Sequence, residues 1–172
     1  MITICLAATL LQPRLQPVWQ DSAQEDKKQV HRFIQDRAFQ LDKLKQETCK
    51  IGKHVFHLWV MDTDAKRQEG LMFVKDTDMK DNEGMIFIFP NEDYRRFWMR
   101  NTLIDLDITY NDKDGRILNF YTMKALDETT DYSSSGPAMS VIELKPKTLK
   151  KLEIQAGDKW EIPESVVAKD GN

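Results

Sequence analysis

Five successive apolar residues, Met85-Ile86-Phe87-Ile88-Phe89, run up to Pro90. The run is too short for a helix and predicts a strand buried on both faces. Further on, Ile104, Leu106, Ile108 and Tyr110 alternate with Asp105, Asp107, Thr109 and Asn111. That alternation predicts a strand with one core face and one polar face. Between the two lies Phe97-Trp98-Met99, three large side chains expected to be buried, with Trp98 beside Phe87 or Phe89. Burying such a cluster contributes several kcal/mol, since truncating a core Phe or Trp costs roughly 3–5.

The flanking pattern is strand-rich. His54–Met61 reads as a strand, and Thr63 as the N-cap of a short helix through Glu69 that Gly70 ends. Residues 76–84 form a polar loop. Asp112–Gly115 predicts a turn, with Arg116–Tyr121 as the returning strand of a hairpin. After a long polar loop at 127–137 come a strand at 138–145, a short helix at 146–152, a turn at 155–158 and a last strand at 160–162. Short strands, frequent turns and two small helices predict a mainly β fold, a sandwich or partly closed barrel.

The first fifty residues differ in character. Residues 1–11 are short and apolar, like the centre of a secretory signal without the basic residues that normally precede it. A start placed too far downstream would explain that, and export to the periplasm or cell envelope is the expectation. A frayed tail or docking strand is the alternative. Pro13 and Pro17 mark residues 12–24 as a linker, so residues 1–24 should be dispensable for folding. Over residues 25–47, Val30, Phe33, Ile34, Ala38, Leu41 and Leu44 recur at helical spacing, interrupted by Arg37. The spacing predicts an amphipathic helix within 25–50, packed on its own domain or offered to a partner. Residues 51–165 then form the main domain and 166–172 a tail.

Composition narrows the classes of function. At 172 residues, 41% hydrophobic and 31% charged, the chain suits one globular domain. A net charge of -3 gives no general attraction to nucleic acid, and no apolar stretch reaches the roughly 18 residues needed to span a membrane. Two cysteines, Cys5 and Cys49, make neither a disulfide framework nor a metal-ligand spacing. His54 and His57 point to opposite faces of a strand, and Met72, Met85 and Met99 sit in apolar runs as core fillers. No phosphate loop, dinucleotide fingerprint, calcium loop or nucleophile elbow is present, so no cofactor is expected.

A set of short motifs carries a resemblance. Gly70-Leu71-Met72, Glu83-Gly84-Met85, the block Phe97-Trp98-Met99-Arg100-Asn101-Thr102-Leu103-Ile104, Leu106-Asp107-Ile108, Asp114-Gly115 and Val141-Ile142-Glu143-Leu144 stand in one order. From about His54 to Ile162 the chain resembles the DUF192 (UPF0127) family of bacterial and archaeal proteins. The resemblance implies a jelly-roll-like β-sandwich, often behind a signal peptide or anchor, and implies no activity. Asp105 departs from the family pattern, which often has proline there, so the resemblance gives no support for Asp105 in a shared site.

The candidate chemistry lies just after the aromatic triplet. Arg100, Asn101 and Thr102 offer a charge, an amide and a hydroxyl suited to an anionic or sugar-like ligand. The same residue types also shape turns. Asp107 is expected to pair with Arg100 at one rim, and Asp105 and Asp107 to share a face about 7 Å apart. Two classes of function fit these residues. The first is a non-catalytic module binding a small polar ligand, a glycan or an envelope partner at Arg100, Asn101, Thr102 and Asp107. The second is a hydrolase or lyase using Asp107 with Glu83 or Glu143 as acid and base. A concave pocket holding two of these carboxylates would favour the enzyme.

Overall fold

The computed structural model describes residues 37–170. Its strands are β1 (Gln46–Ile51), β2 (His54–Met61), β3 (Glu83–Asp93), β4 (Arg96–Phe97), β5 (Leu106–Asn111), β6 (Ile117–Met123), β7 (Tyr132–Ser133), β8 (Ala138–Leu144) and β9 (Trp160–Glu161). Two short helices join them, α1 (Asp64–Glu69) and α2 (Thr148–Lys151). The residues expected to form β2, α1 and the β5–β6 hairpin do form them. Thr63 caps α1 by accepting from the Lys66 amide, as its position predicts.

Seven strands make one sheet in the order β6-β5-β8-β3-β2-β1-β9, antiparallel except where β2 runs parallel to β3. The remaining pair, β4 and β7, forms a small second layer. The large sheet curls until its ends nearly meet. β9 pairs with β1, and Lys159 just ahead of it bridges Arg116 beside β6. Trp160 donates its amide to the Gly115 carbonyl at 2.9 Å, and Ile117 donates to Asp158 at 2.8 Å. Gly115 makes this closure possible. Its φ is +80°, and a Cβ there would lie 2.4 Å from the Trp160 carbonyl oxygen. The fold is therefore mainly β and a partly closed barrel.

Both faces of the sheet are buried. Met85, Phe87, Ile108, Tyr110 and Val141 lie in one core cluster, and Leu58, Ile86, Ile142, Leu144 and Trp160 lie in the other. This is why Met85–Ile88 is apolar at every position. β3 continues past Pro90 through an irregularity between Ile88 and Asp93, so Pro90 bends the strand without ending it. Gly84 lets β3 lie tight on β8, since a Cβ would sit 2.4 Å from the Glu143 carbonyl oxygen.

Three expectations need correction. The helix expected over 25–47 does not extend through its described part. Residues 41–43 form a single 3-10 turn and Gln46–Ile51 is a strand paired with β2. Arg37, the residue that interrupts the apolar stripe, explains the change. It is buried and donates to the carbonyls of Gly70 and Met72, so the chain there is a strap and not a helix. Residues 1–36, including the apolar segment and the linker, lie outside the described residues. Secondly, Trp98 is not core: it is 54% exposed, while Phe97 packs edge-on against Phe87 at 4.9 Å and Met99 is fully buried. Successive residues of an extended segment alternate in direction, so three in a row cannot all point inward. The third correction concerns Asp107, whose polar face is as buried as its apolar one.

Candidate functional site

The polar face of β5 is sealed by a distant part of the chain. Asp107 is 1% exposed, and it accepts from the Leu149 amide at 2.9 Å and from the Thr122 hydroxyl at 2.7 Å. Both its oxygens are thereby committed to holding α2 and β6 on the sheet. Arg100 is exposed and lies over the Trp98 ring, 5.8 Å from its centroid. The expected Arg100–Asp107 pair does not form. Asp105 pairs with Lys124 at 2.8 Å and accepts from the Ala125 amide, and these two donors hold its carboxyl below the usual range.

Asn101 turns the chain. Its φ is +55°, a conformation that asparagine tolerates, and its carbonyl accepts from the Phe73 amide at 2.8 Å. Thr102 has a different fate. It is 5% exposed, its hydroxyl is 3.4 Å from the Arg100 carbonyl, and it lines a cleft of about 390 Å³. Of the four residues expected to form the site, Thr102 alone reaches this cleft.

The cleft is built between α1 with its following turn and the segment from β3 into β4. Leu71, Phe87, Phe89 and Phe97 form its apolar walls. Asp64, Arg67 and Glu69 come from α1, and Tyr94, Arg95, Arg96 and Trp98 from the β3–β4 side. Most of the charged groups are already engaged. Arg67 binds Asp64, Asp170 and the Ile88 carbonyl, while Glu69 accepts from the Ala38 and Phe39 amides and pairs with Arg37. The Arg95 guanidinium lies 3.9 Å over the Phe89 ring and donates to the Ala138 and Asn91 carbonyls. Arg96 pairs with Asp131 through Nε at 3.0 Å.

Among the charged residues that line the cleft, Glu143 alone has no described hydrogen-bond or ion-pair partner. It lies on β8, with Met85 and Ile108 as its register neighbours on β3 and β5. It is 4% exposed and lines the cleft, and among the described residues nothing hydrogen-bonds its carboxyl. Burial pushes its pKa up to about 8, so the carboxyl is largely protonated at neutral pH. A protonated carboxyl both donates and accepts, which suits a neutral polar group on a ligand. The signal in the sequence is a lone acid inside the apolar run Val141-Ile142-Glu143-Leu144. The arginines and rim aromatics of the β3–β4 side carry no comparable signal.

Other chemistry is not assembled. Glu83 is held by Lys80 away from the cleft lining. Burial pushes the Cys49 thiol up to about 12, leaving little thiolate. Among the described residues there is no group of three His, Cys, Asp or Glu that could hold a metal. Nor does any described helix have the length and apolarity to cross a membrane.

Comparison with known proteins places this geometry among relatives. The family model DUF192, described as an uncharacterized ACR, matches residues 47–162. A crystal structure of a protein of unknown function from Novosphingobium aromaticivorans DSM 12444 is similar at 33% identity with a TM-score of 0.66. That match covers 73% of this chain and 91% of the other. A candidate transcription regulator from Sinorhizobium meliloti 1021 is similar at 27% identity with a TM-score of 0.63, covering 69% of this chain and 94% of that one. Comparison with curated proteins finds no match.

Proposed function

The chain belongs to the DUF192 family, whose function is unknown, and on that premise we propose that it is a non-catalytic module binding a small molecule in the cleft above Glu143. One observation carries the reading: a carboxyl 4% exposed, with no described partner, lines an open cleft. A ligand that hydrogen-bonds this carboxyl takes the place of water in the cleft, a net gain of about 0.5–1.5 kcal/mol per bond. The lining combines apolar and aromatic side chains with polar and charged ones, which suits a small molecule that has both kinds of surface. Of the site expected around Arg100, Asn101, Thr102 and Asp107, this reading keeps Thr102. Export remains part of the proposal, resting on the apolar residues 1–11.

A thermal-shift screen of the full chain against sugars, organic acids, amino acids and divalent metals tests the reading. NMR then maps any ligand found. Shifts at Glu143, Thr102 and Trp98 are expected. A ligand that leaves all three unmoved, or a screen without a single binder, would overturn it.

The environment of Glu143 also favours a second reading, since an acid kept protonated in an apolar site is how enzymes prepare a general acid. Hydrolase or lyase chemistry needs a further group to act with it. Asp107 is committed elsewhere and Glu83 lies outside the cleft lining. Asp64 and Glu69, which do line it, are tied to Arg67 and Arg37. Binding is therefore the favoured function.

A further inference from the structure

Resting on the reading of the cleft as a binding site, we infer that its ligand is an acidic sugar, a hydroxylated ring carrying one carboxylate or phosphate. Three zones of the cleft ask for different chemistry, and this class answers all three.

Glu143 and Thr102, 4% and 5% exposed, are the buried polar residues of the lining. Each can donate and accept, which is what adjacent ring hydroxyls also do. An amine would meet a worse reception. The Phe89 face, the natural seat for a cation, already carries Arg95 at 3.9 Å and Arg67 at 5.1 Å. Leu71 and Phe87, 2% and 1% exposed, and the half-buried Phe97 supply the apolar part of the lining, suited to the C–H faces of a ring.

At the rim stand Tyr94 and Trp98, 68% and 54% exposed, flat rings on which a pyranose could stack, with Arg100 already over one face of Trp98. Beside them are guanidinium N–H groups with no described partner. Arg96 uses only Nε, on Asp131, and Arg95 uses Nε and one Nη. Paired N–H groups of this kind bind a carboxylate or phosphate through two parallel hydrogen bonds. A purely apolar acid would satisfy the arginines and leave Glu143 unpaired. A neutral sugar would satisfy Glu143 and Thr102 and forgo the arginines. At about 390 Å³ the cleft is near the small end of the roughly 300–1,000 Å³ typical of ligand sites, room for one or two rings.

NMR titration of the full chain at pH 7 with D-glucuronate, glucose 6-phosphate, glucose and benzoate tests the assignment. At least one of the two acidic sugars should shift Glu143, Thr102 and the Trp98 indole, and bind at least tenfold more tightly than glucose. The tighter of the two identifies the acidic group as carboxylate or phosphate. Arg96→Ala, at an exposed position, should weaken the acidic sugar about tenfold and leave glucose unchanged. Glu143→Gln, which can still donate and accept, should retain binding that Glu143→Leu loses. Benzoate or glucose binding as tightly as the acidic sugars would overturn the inference, as would no cleft shift with either acid. If another compound from the screen still shifts Glu143 and Thr102, the ligand class alone has failed. If none does, the binding reading fails with it.

Discussion

Asp107 and Glu143 stand on neighbouring strands, one register step apart, since Ile108 lies opposite Glu143 and Asp107 opposite Leu144. Both are nearly inaccessible, at 1% and 4%. Their surroundings differ in one respect. Asp107 meets a backbone amide and a hydroxyl brought to it by Leu149 and Thr122, whereas Glu143 meets apolar neighbours and an open cleft. A buried carboxyl with its hydrogen bonds supplied is a structural fastener, and one without them is a group awaiting a partner. Burial alone does not tell the two apart; the count of donors does.

That contrast breaks first on pH. The folded protein holds the Glu143 proton up to about pH 8, while the unfolded chain releases it near the ordinary value of 4.5. The native state therefore binds more protons between these limits, and stability is fully present below about pH 4.5 and is lost as pH rises toward 8. The loss is about 5 kcal/mol at most. Urea unfolding from pH 4.5 to 9 should show it, and Glu143→Gln should flatten the profile.

Leucine substitution sharpens the comparison. Asp107→Leu strips the Leu149 amide and the Thr122 hydroxyl of their acceptor and should cost about 3 kcal/mol. Glu143→Leu at pH 8 should be neutral or stabilising, because no donor is orphaned. Equal losses in the denaturant midpoint would erase the distinction drawn here.

The cleft's two adjacent aromatics supply a smaller contrast. Phe97→Ala removes a half-buried ring stacked edge-on against Phe87 and should cost about 2 kcal/mol, below the usual core range. Trp98→Ala should leave the midpoint nearly unchanged and weaken ligand binding. Smallest is Thr122→Val, which deletes one of the two donors to Asp107 and should cost about 1 kcal/mol. In an Asp107→Leu background the same change should cost almost nothing, since the bond it removes is already gone.

Much of the frame was legible in the chain. His54–Met61, the Thr63 cap, the uninterrupted Met85–Ile88 and the Asp112–Gly115 turn are local signals, and local physics suffices for them. Asp107 was not legible in the same way. Alternation identified its face as polar, but the cover for that face comes from Leu149, 42 positions along the chain. Trp98 faces outward as period-two alternation through Phe97 and Met99 requires, a signal that its apolar neighbours mask. Glu143 stood out as an acid among apolar neighbours, yet whether such a residue is satisfied depends on donors that only the packed structure brings near or withholds.

Helix α1, a wall of the cleft, is gripped by both ends of the described chain. Arg37 holds the Gly70 and Met72 carbonyls at its C-terminal end. Lys169 binds Asp62, and Asp170 binds the Asp64 amide and Arg67, at its start and on its flank. During synthesis, residues 62–70 emerge long before 169 and 170 do. The sheet core up to Leu144 can condense in the meantime, but the wall lacks its last fastenings until those two residues clear the ribosome. A chain without Lys169 and Asp170 would thus keep its sheet and lose two fastenings of this wall, so the shape of the cleft depends on contacts made across more than 100 positions of sequence.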